Sequence, residues 1–132
     1  MSQENVEMTR QSIDAFDRRD LQALRALYHP DVVLDFSASV GVEAGVYKGI
    51  DAVFRFYGGY FDAFEEITLN PRRFIDAGAS VVVPNRSRSL GRDGVEVFAQ
   101  STFVFTFGGG RLTHICLYRG TEEALEAVGL AE

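Results

Sequence analysis

Residues 20–37 read DLQALRALYHPDVVLDFS, and the change of period inside this stretch decides the fold. Asp20 is suited to cap a helix, and Leu21, Leu24, Leu27 and Tyr28 then recur at helical spacing. His29-Pro30 ends that helix, because proline disfavours helical geometry in the residue before it. From Asp31 to Ser37 the period becomes two. Val32, Leu34 and Phe36 share one side, and Asp31, Asp35 and Ser37 tend to the other. This is the pattern of a half-buried strand.

Upstream, Val6, Thr9, Ile13 and Phe16 recur at helical spacing, with Glu4 and Glu7 near the favourable N-terminal end. A first helix is predicted from about Gln3 to Arg19. Downstream, residues 39–49 read as a loop carrying three glycines. A third helix follows with the stripe Ile50, Val53, Phe54, Tyr57, Phe61 and Phe64. Gly58-Gly59 interrupts it at about 1 kcal/mol each relative to alanine, and a kink is expected there.

Four strands complete the sequence, roughly Glu66–Asp76, Ser80–Leu90, Gly94–Phe107 and Arg111–Arg119. Turn residues separate them at 76–78, 91–94 and 108–110. Pro71 points to a bulge or an edge. Thr121 is placed to cap a last short helix that Gly129 closes. The order is helix, helix, strand, helix, four antiparallel strands, short helix. That is an α+β layer solution with helices on one face of a sheet that curls around them.

Composition narrows the function classes. The 132 residues are the usual size of one domain, 1–132. A hydrophobic fraction of 46% supports a core without disulfides or a structural metal. Eleven Phe and five Tyr, with no Trp, give an aromatic interior. A net charge of −6 opposes a nucleic-acid partner and an anionic membrane surface. Cys116 is the only cysteine, so no intrachain disulfide forms. The polar, acidic start is unlike a signal peptide, and no apolar run approaches the roughly 20 residues of a membrane span. A cytoplasmic protein is the simplest expectation.

Several stretches resemble a known family. Phe16-Asp17-x-x-Asp20-Leu21, then Leu24 and Leu27-Tyr28-His29-Pro30-Asp31, are similar to the first two helices of SnoaL-like proteins, in the nuclear transport factor 2-like superfamily. Val46 to Val53 resembles the glycine-led entry into their third helix, and Gly110-Arg111-Leu112 their final hairpin. Tyr118, the segment Glu122 to Ala127 and Gly129-Leu130 resemble the tail common in bacterial members. The resemblance covers nearly the whole chain. It implies a conical half-barrel, in which a strongly curved antiparallel or mixed sheet packs three N-terminal helices on its concave face. A pocket lies between, lined here by Phe16, Tyr28, Phe36, Phe56, Tyr60, Thr102, Ile115 and Leu117. The fold hosts isomerases, cyclases, hydrolases and non-catalytic binding domains, so it does not choose among them.

The same resemblance tests the catalytic positions. The oxyanion-hole and base positions of ketosteroid isomerases fall on Ser12, Thr102 and Phe36, none with the needed group. Tyr28 and Tyr57 fall where some isomerases carry tyrosines that support the oxyanion tyrosine. The acid of SnoaL-type cyclases falls on Leu117. A shift of one residue brings Asp35 to the isomerase base position.

The residues themselves leave alternatives. Asp35, between Leu34 and Phe36, reads as an acid–base group with a raised pKa or as a solvent-facing strand aspartate. Arg86 and Arg88 share a strand face and read as a carboxylate or enolate clamp, or as a charged outer face pairing Glu96. His114 reads as a proton shuttle or as an ordinary hairpin residue. His114 and Cys116 are too few to make a zinc site, and no metal or organic cofactor is expected. Cys116 lacks a visible base and reads as core. Gly108-Gly109-Gly110 is a hairpin turn, since no helix follows it as in a phosphate loop. The Phe98, Phe103, Phe105 and Phe107 cluster is mostly core, and any part facing outward favours a homodimer through the sheet. The function expected is therefore binding of a small, largely apolar molecule. One version is a cofactor-free isomerase, cyclase or hydrolase in which Asp35 is the base and Tyr57, Tyr28 or Arg86 polarises oxygen. The other is a non-catalytic binding or dimerisation domain.

Overall fold

The computed structural model describes residues 2–39 and 44–130. The part of the predicted loop at 40–43 lies outside the described residues. The elements in chain order are helix α1 (Ser2–Asp17), helix α2 (Leu21–Leu27), strand β1 (Tyr28–Asp35), strand β2 (Val46–Lys48), helix α3 (Ile50–Ala63), strand β3 (Phe64–Thr68), strand β4 (Ile75–Ala77), strand β5 (Ser80–Gly91), strand β6 (Glu96–Gly108), strand β7 (Arg111–Tyr118) and helix α4 (Thr121–Ala127).

The sheet runs β2-β1-β7-β6-β5-β3, with β4 also paired to β5. Only the β1–β7 pairing is parallel, so the sheet is mixed. Its backbone is the β5–β6 hairpin, in register from Ser80↔Thr106 to Leu90↔Glu96. β7 covers β6 only from Thr102↔Tyr118 onward, which leaves the 96–101 half of β6 with no strand of the described residues on that side.

Alternation then sorts side chains to two faces. Val81, Val83, Phe105 and Ile115 point inward and pack with Ile13, Leu24, Val53, Tyr57 and Phe61 from α1, α2 and α3. The three N-terminal helices thus sit on the concave face of a half-barrel. Helix α4 does not join them. It packs on the outer face, where Ala124 closes a small cluster with Val82 and Val104.

Local chemistry explains the boundaries. Asp20 caps α2 by accepting from the Ala23 amide at 3.1 Å. Tyr28 was expected to close that helix, but it opens β1 in an extended conformation. Pro30 disfavours helical geometry at His29 before it, and the strand begins three residues earlier than the expected Asp31. β2 lies inside the expected loop and is ordered by pairing with Val33, Leu34 and Asp35. Gly58-Gly59 does not interrupt α3, which runs as one helix from Ile50 to Ala63 with Val53, Tyr57 and Phe61 buried. The strand expected at 66–76 divides into β3 and β4, and Pro71 between them makes an isolated bridge to Asn85. Proline cannot donate to a continuous ladder.

Between α1 and α2, Arg19 takes a left-handed φ of 57°. Its guanidinium donates to the carbonyls of Phe61, Phe64 and Glu65 at 2.9, 3.0 and 2.9 Å. These carbonyls span the junction of α3 and β3, where the last carbonyls of a helix lack helical partners. No helix among the described residues is long and apolar enough to cross a membrane.

Candidate functional site

A cavity of about 420 Å³ lies between the concave face and the helices. It is within the usual range for small-molecule sites, roughly 300–1,000 Å³. The α1 helix contributes Ser12, Ile13 and Phe16, and α3 contributes Phe56, Tyr57 and Tyr60. The sheet contributes Tyr28 and Leu34 from β1, with Phe36 just beyond its end, Phe103 and Phe105 from β6, and Ile115 and Leu117 from β7. Rings meet edge-on and offset along the wall. Phe36 lies 5.4 Å from Phe56 and 6.2 Å from Phe103, and Phe16 lies 5.1 Å from Tyr57. Such pairs fix ring positions beyond simple area burial.

Tyr28 and Tyr57 form the polar feature of the floor. Their hydroxyl oxygens are 2.8 Å apart and buried. Burial pushes the Tyr28 phenol up to about 12, against weaker lowering by hydrogen bonds to Tyr57 and Ser12. Burial also raises Tyr57 well above an ordinary phenol, helped by the charge Tyr28 would carry. Both are therefore neutral at physiological pH and act as hydrogen-bonding hydroxyls. Among the described lining residues there is no carboxylate, imidazole, thiol or amine.

The three expected catalytic residues are not brought together. Tyr57 lines the cavity, whereas Asp35 and Arg86 lie on the outer face. Asp35 pairs with Val46 and Cys116 across its neighbours, one position out of phase with the inward Leu34 and Phe36. Its carboxylate accepts from the Ser37 hydroxyl at 2.6 Å and the Ser37 amide at 3.0 Å. These bonds hold its pKa below the ordinary aspartate value, opposite to what a general base at neutral pH needs. Alternation, the simpler of the two expectations, places this residue.

Arg86 is exposed and stacks at 5.0 Å over the Phe98 ring. Arg88 takes the charged-face role, bonded to Glu96 at 2.6 Å and Glu66 at 3.3 Å. His114 is exposed and shares a 3.2 Å bond with the Thr113 hydroxyl. Cys116 is partly buried on the outer face beside Asp35 and Tyr118, and burial raises its thiol pKa. Among the described residues no three His, Cys, Asp or Glu side chains group to hold a metal.

Of the expected binding residues, Phe16, Tyr28, Phe36, Phe56, Tyr60, Ile115 and Leu117 all line the cavity. Thr102 does not. It sits on the outer face beneath the start of α4, with its hydroxyl 2.9 Å from that of Thr121. Even-numbered residues of β6 face outward, so the position that would replace an isomerase's inward acid is turned away from the cavity. Ala99, Gln100, Ser101 and Arg119 also line the cavity and are not among the residues expected from the sequence. For Ala99 and Ser101 the signal was present, since both are in phase with inward Phe103 and Phe105.

Comparison with known proteins agrees with this geometry. The model of the SnoaL-like domain matches residues 9–115. A nuclear transport factor 2-like protein of unknown function from Burkholderia pseudomallei is 27% identical, over 96% of this chain and 98% of that one, with a TM-score of 0.78. A Mycobacterium tuberculosis protein solved in complex with estradiol-17β-hemisuccinate is 17% identical, over 89% of this chain and 94% of that one, with a TM-score of 0.78. A Catenulispora acidiphila protein with a ketosteroid isomerase-like fold, solved in complex with trimethylamine, is 14% identical, over 94% of this chain and 93% of that one, with a TM-score of 0.75. No curated protein sequence matches.

Proposed function

The chain belongs to the SnoaL-like domain family, and from that premise we propose that it binds a small, largely apolar molecule in the aromatic cavity and leaves it chemically unchanged. The observation that carries this reading is the lining. It offers mainly rings and aliphatic side chains, with the neutral Tyr28–Tyr57 pair, further serine and tyrosine hydroxyls, Gln100 and the cationic Arg119, and among the described residues no carboxylate, imidazole, thiol or amine to take a proton near pH 7. Proton abstraction is efficient only with a base whose pKa lies near the working pH. The phenol pair instead suits a carbonyl or hydroxyl oxygen of the ligand. Ser12, where the resemblance puts an isomerase's oxyanion tyrosine, is short and leaves room above that pair. Structures of the same fold hold small molecules, a steroid ester in one and trimethylamine in another, which is in keeping with a ligand here.

Acetylnaphthalene is a suitable neutral probe, followed by calorimetry and by mass spectrometry of the recovered ligand. One-to-one binding with the probe recovered intact is the expected result, and Tyr57→Phe weakens it about tenfold, or ~1.4 kcal/mol. Product in the recovered ligand, or affinity indifferent to Tyr57, would overturn the reading. We also propose pairing with a second copy through the outer face, where Phe98 is 53% and Val46 48% exposed. Sedimentation should give a dimer that Phe98→Glu dissociates, and a monomeric wild type rejects it.

A further inference from the structure

Building on that cavity as the ligand site, we propose that the natural ligand is an amphiphilic acid. Its apolar body occupies the cavity, and its oxyanion, a carboxylate or a phosphate, is held outside by Arg72, Arg86 and Arg119. These arginines, with Gln100, Thr102 and Thr121, line a second recess of about 330 Å³. It lies on the outer face between β5, β6 and the start of α4.

The charge pattern there runs against the rest of the molecule. The chain carries a net −6, yet this recess is lined by three arginines and, among the described residues, by no acidic one. None of the three takes part in an ion pair among the described residues. Arg88, two residues from Arg86, is fully matched by Glu66 and Glu96. Like charges brought together repel, and an incoming anion relieves that repulsion. Guanidinium also presents a planar fork that fits carboxylate and phosphate oxygens.

Each arginine is positioned by a separate anchor. The Arg72 amide donates to the Pro84 carbonyl at 2.7 Å, which ties its backbone beside β5. Arg86 rests on the Phe98 ring. Arg119 donates from Nε to the Ala38 carbonyl at 3.1 Å, leaving its two terminal nitrogens for a ligand. Asn85 also borders the recess; it is 4% exposed, and neither carboxamide atom has a partner among the described residues. Such a group is uncommon in a finished interior.

The two hollows adjoin. Gln100, Ser101 and Arg119 border both. They do so where β7 has ended and β6 continues, paired to β5 on one side and to no strand of the described residues on the other. A molecule leaving the cavity mouth around that free edge meets the arginines next. This juxtaposition selects an apolar body with an anionic end over a neutral ligand.

The test compares naphthylbutanoic acid, naphthylbutyl phosphate and the methyl ester of the acid by calorimetry on the full chain. At least one anion should bind about tenfold more tightly than the ester, ~1.4 kcal/mol. Which anion wins identifies the oxyanion. Arg72→Gln and Arg86→Gln should each remove most of the advantage while ester affinity holds, and the control Arg88→Gln should keep it. If the ester binds as well as both anions, or if Arg88→Gln erases the advantage equally, the anion site is rejected and the cavity reading stands. If neither anions nor ester bind, both fall.

Discussion

The inner and outer faces of the curved sheet are built from the same strands and do opposite things. Inward, Leu34, Phe36, Phe103, Phe105 and Ile115 make an aromatic and aliphatic wall. Outward, the neighbouring positions carry Asp35, Arg86, Arg88, Glu96 and His114. A step of one residue exchanges the faces, because the side-chain period of a strand is two. The candidates that looked most like chemistry in the sequence, Asp35 and Arg86, are on the side turned away from the cavity. What remains inside is suited to holding a molecule.

The sharpest contrast is between adjacent residues. Leu34, 1% exposed, touches the core and the cavity, so Leu34→Ala should cost about 3 kcal/mol in urea unfolding. Asp35→Ala beside it should stay under about 1 kcal/mol. Equal losses would break the two-face description.

A second contrast is electrostatic. The Tyr28 pKa is raised to about 12 by burial, and Tyr57 is raised with it. The folded phenols keep protons that the unfolded chain releases near pH 10. Their contribution is complete below pH 10 and declines as pH climbs through the folded values. Tyr28→Phe and Tyr57→Phe should flatten the alkaline limb of the stability curve. An unchanged limb would mean that the pair is not buried.

Smaller still is Phe98→Ala, expected to change monomer stability by less than about 0.5 kcal/mol despite the size of the ring. Thermal unfolding at low protein concentration checks it; a core-sized loss would put Phe98 inside. Smallest is Asp35→Asn. The Ser37 bonds lower the Asp35 pKa, so its contribution is present above the unfolded value of about 4 and fades as pH drops through the folded one. A shallower acid limb below about pH 4 is expected, with cavity affinity at pH 7 unchanged. Lost affinity would return Asp35 to the site.

Most of the architecture was readable because it rests on periodicity. The stripe Val53, Tyr57, Phe61 and the alternation at Val32, Leu34, Phe36 survive into the structure as written. The misses share a cause. β2 is three residues with no apolar rhythm of its own, and it exists because β1 supplies hydrogen-bond partners. Gly58-Gly59 has low helix propensity, but the flanking Tyr57 and Phe61 are buried, and packing overrides propensity. Tyr28 sits at helical spacing after Leu24, yet the proline two residues on takes it for the strand. For the site, the apolar lining was legible from ring positions. The arginine recess was not, because Arg72, Arg86 and Arg119 come from three separate segments and only the fold brings them to one place.

Arg19 carries a lesson for redesign. At an ordinary left-handed turn, exchanging the residue for glycine eases the backbone. Here the side chain bridges to three carbonyls where α3 passes into β3, so the more comfortable residue would release that junction. Lysine is a poor substitute as well, since a single ammonium lacks the planar fork that spans all three oxygens. The turn is thus occupied for reach, and a stabilisation scheme guided by backbone angles alone would choose wrongly at this position.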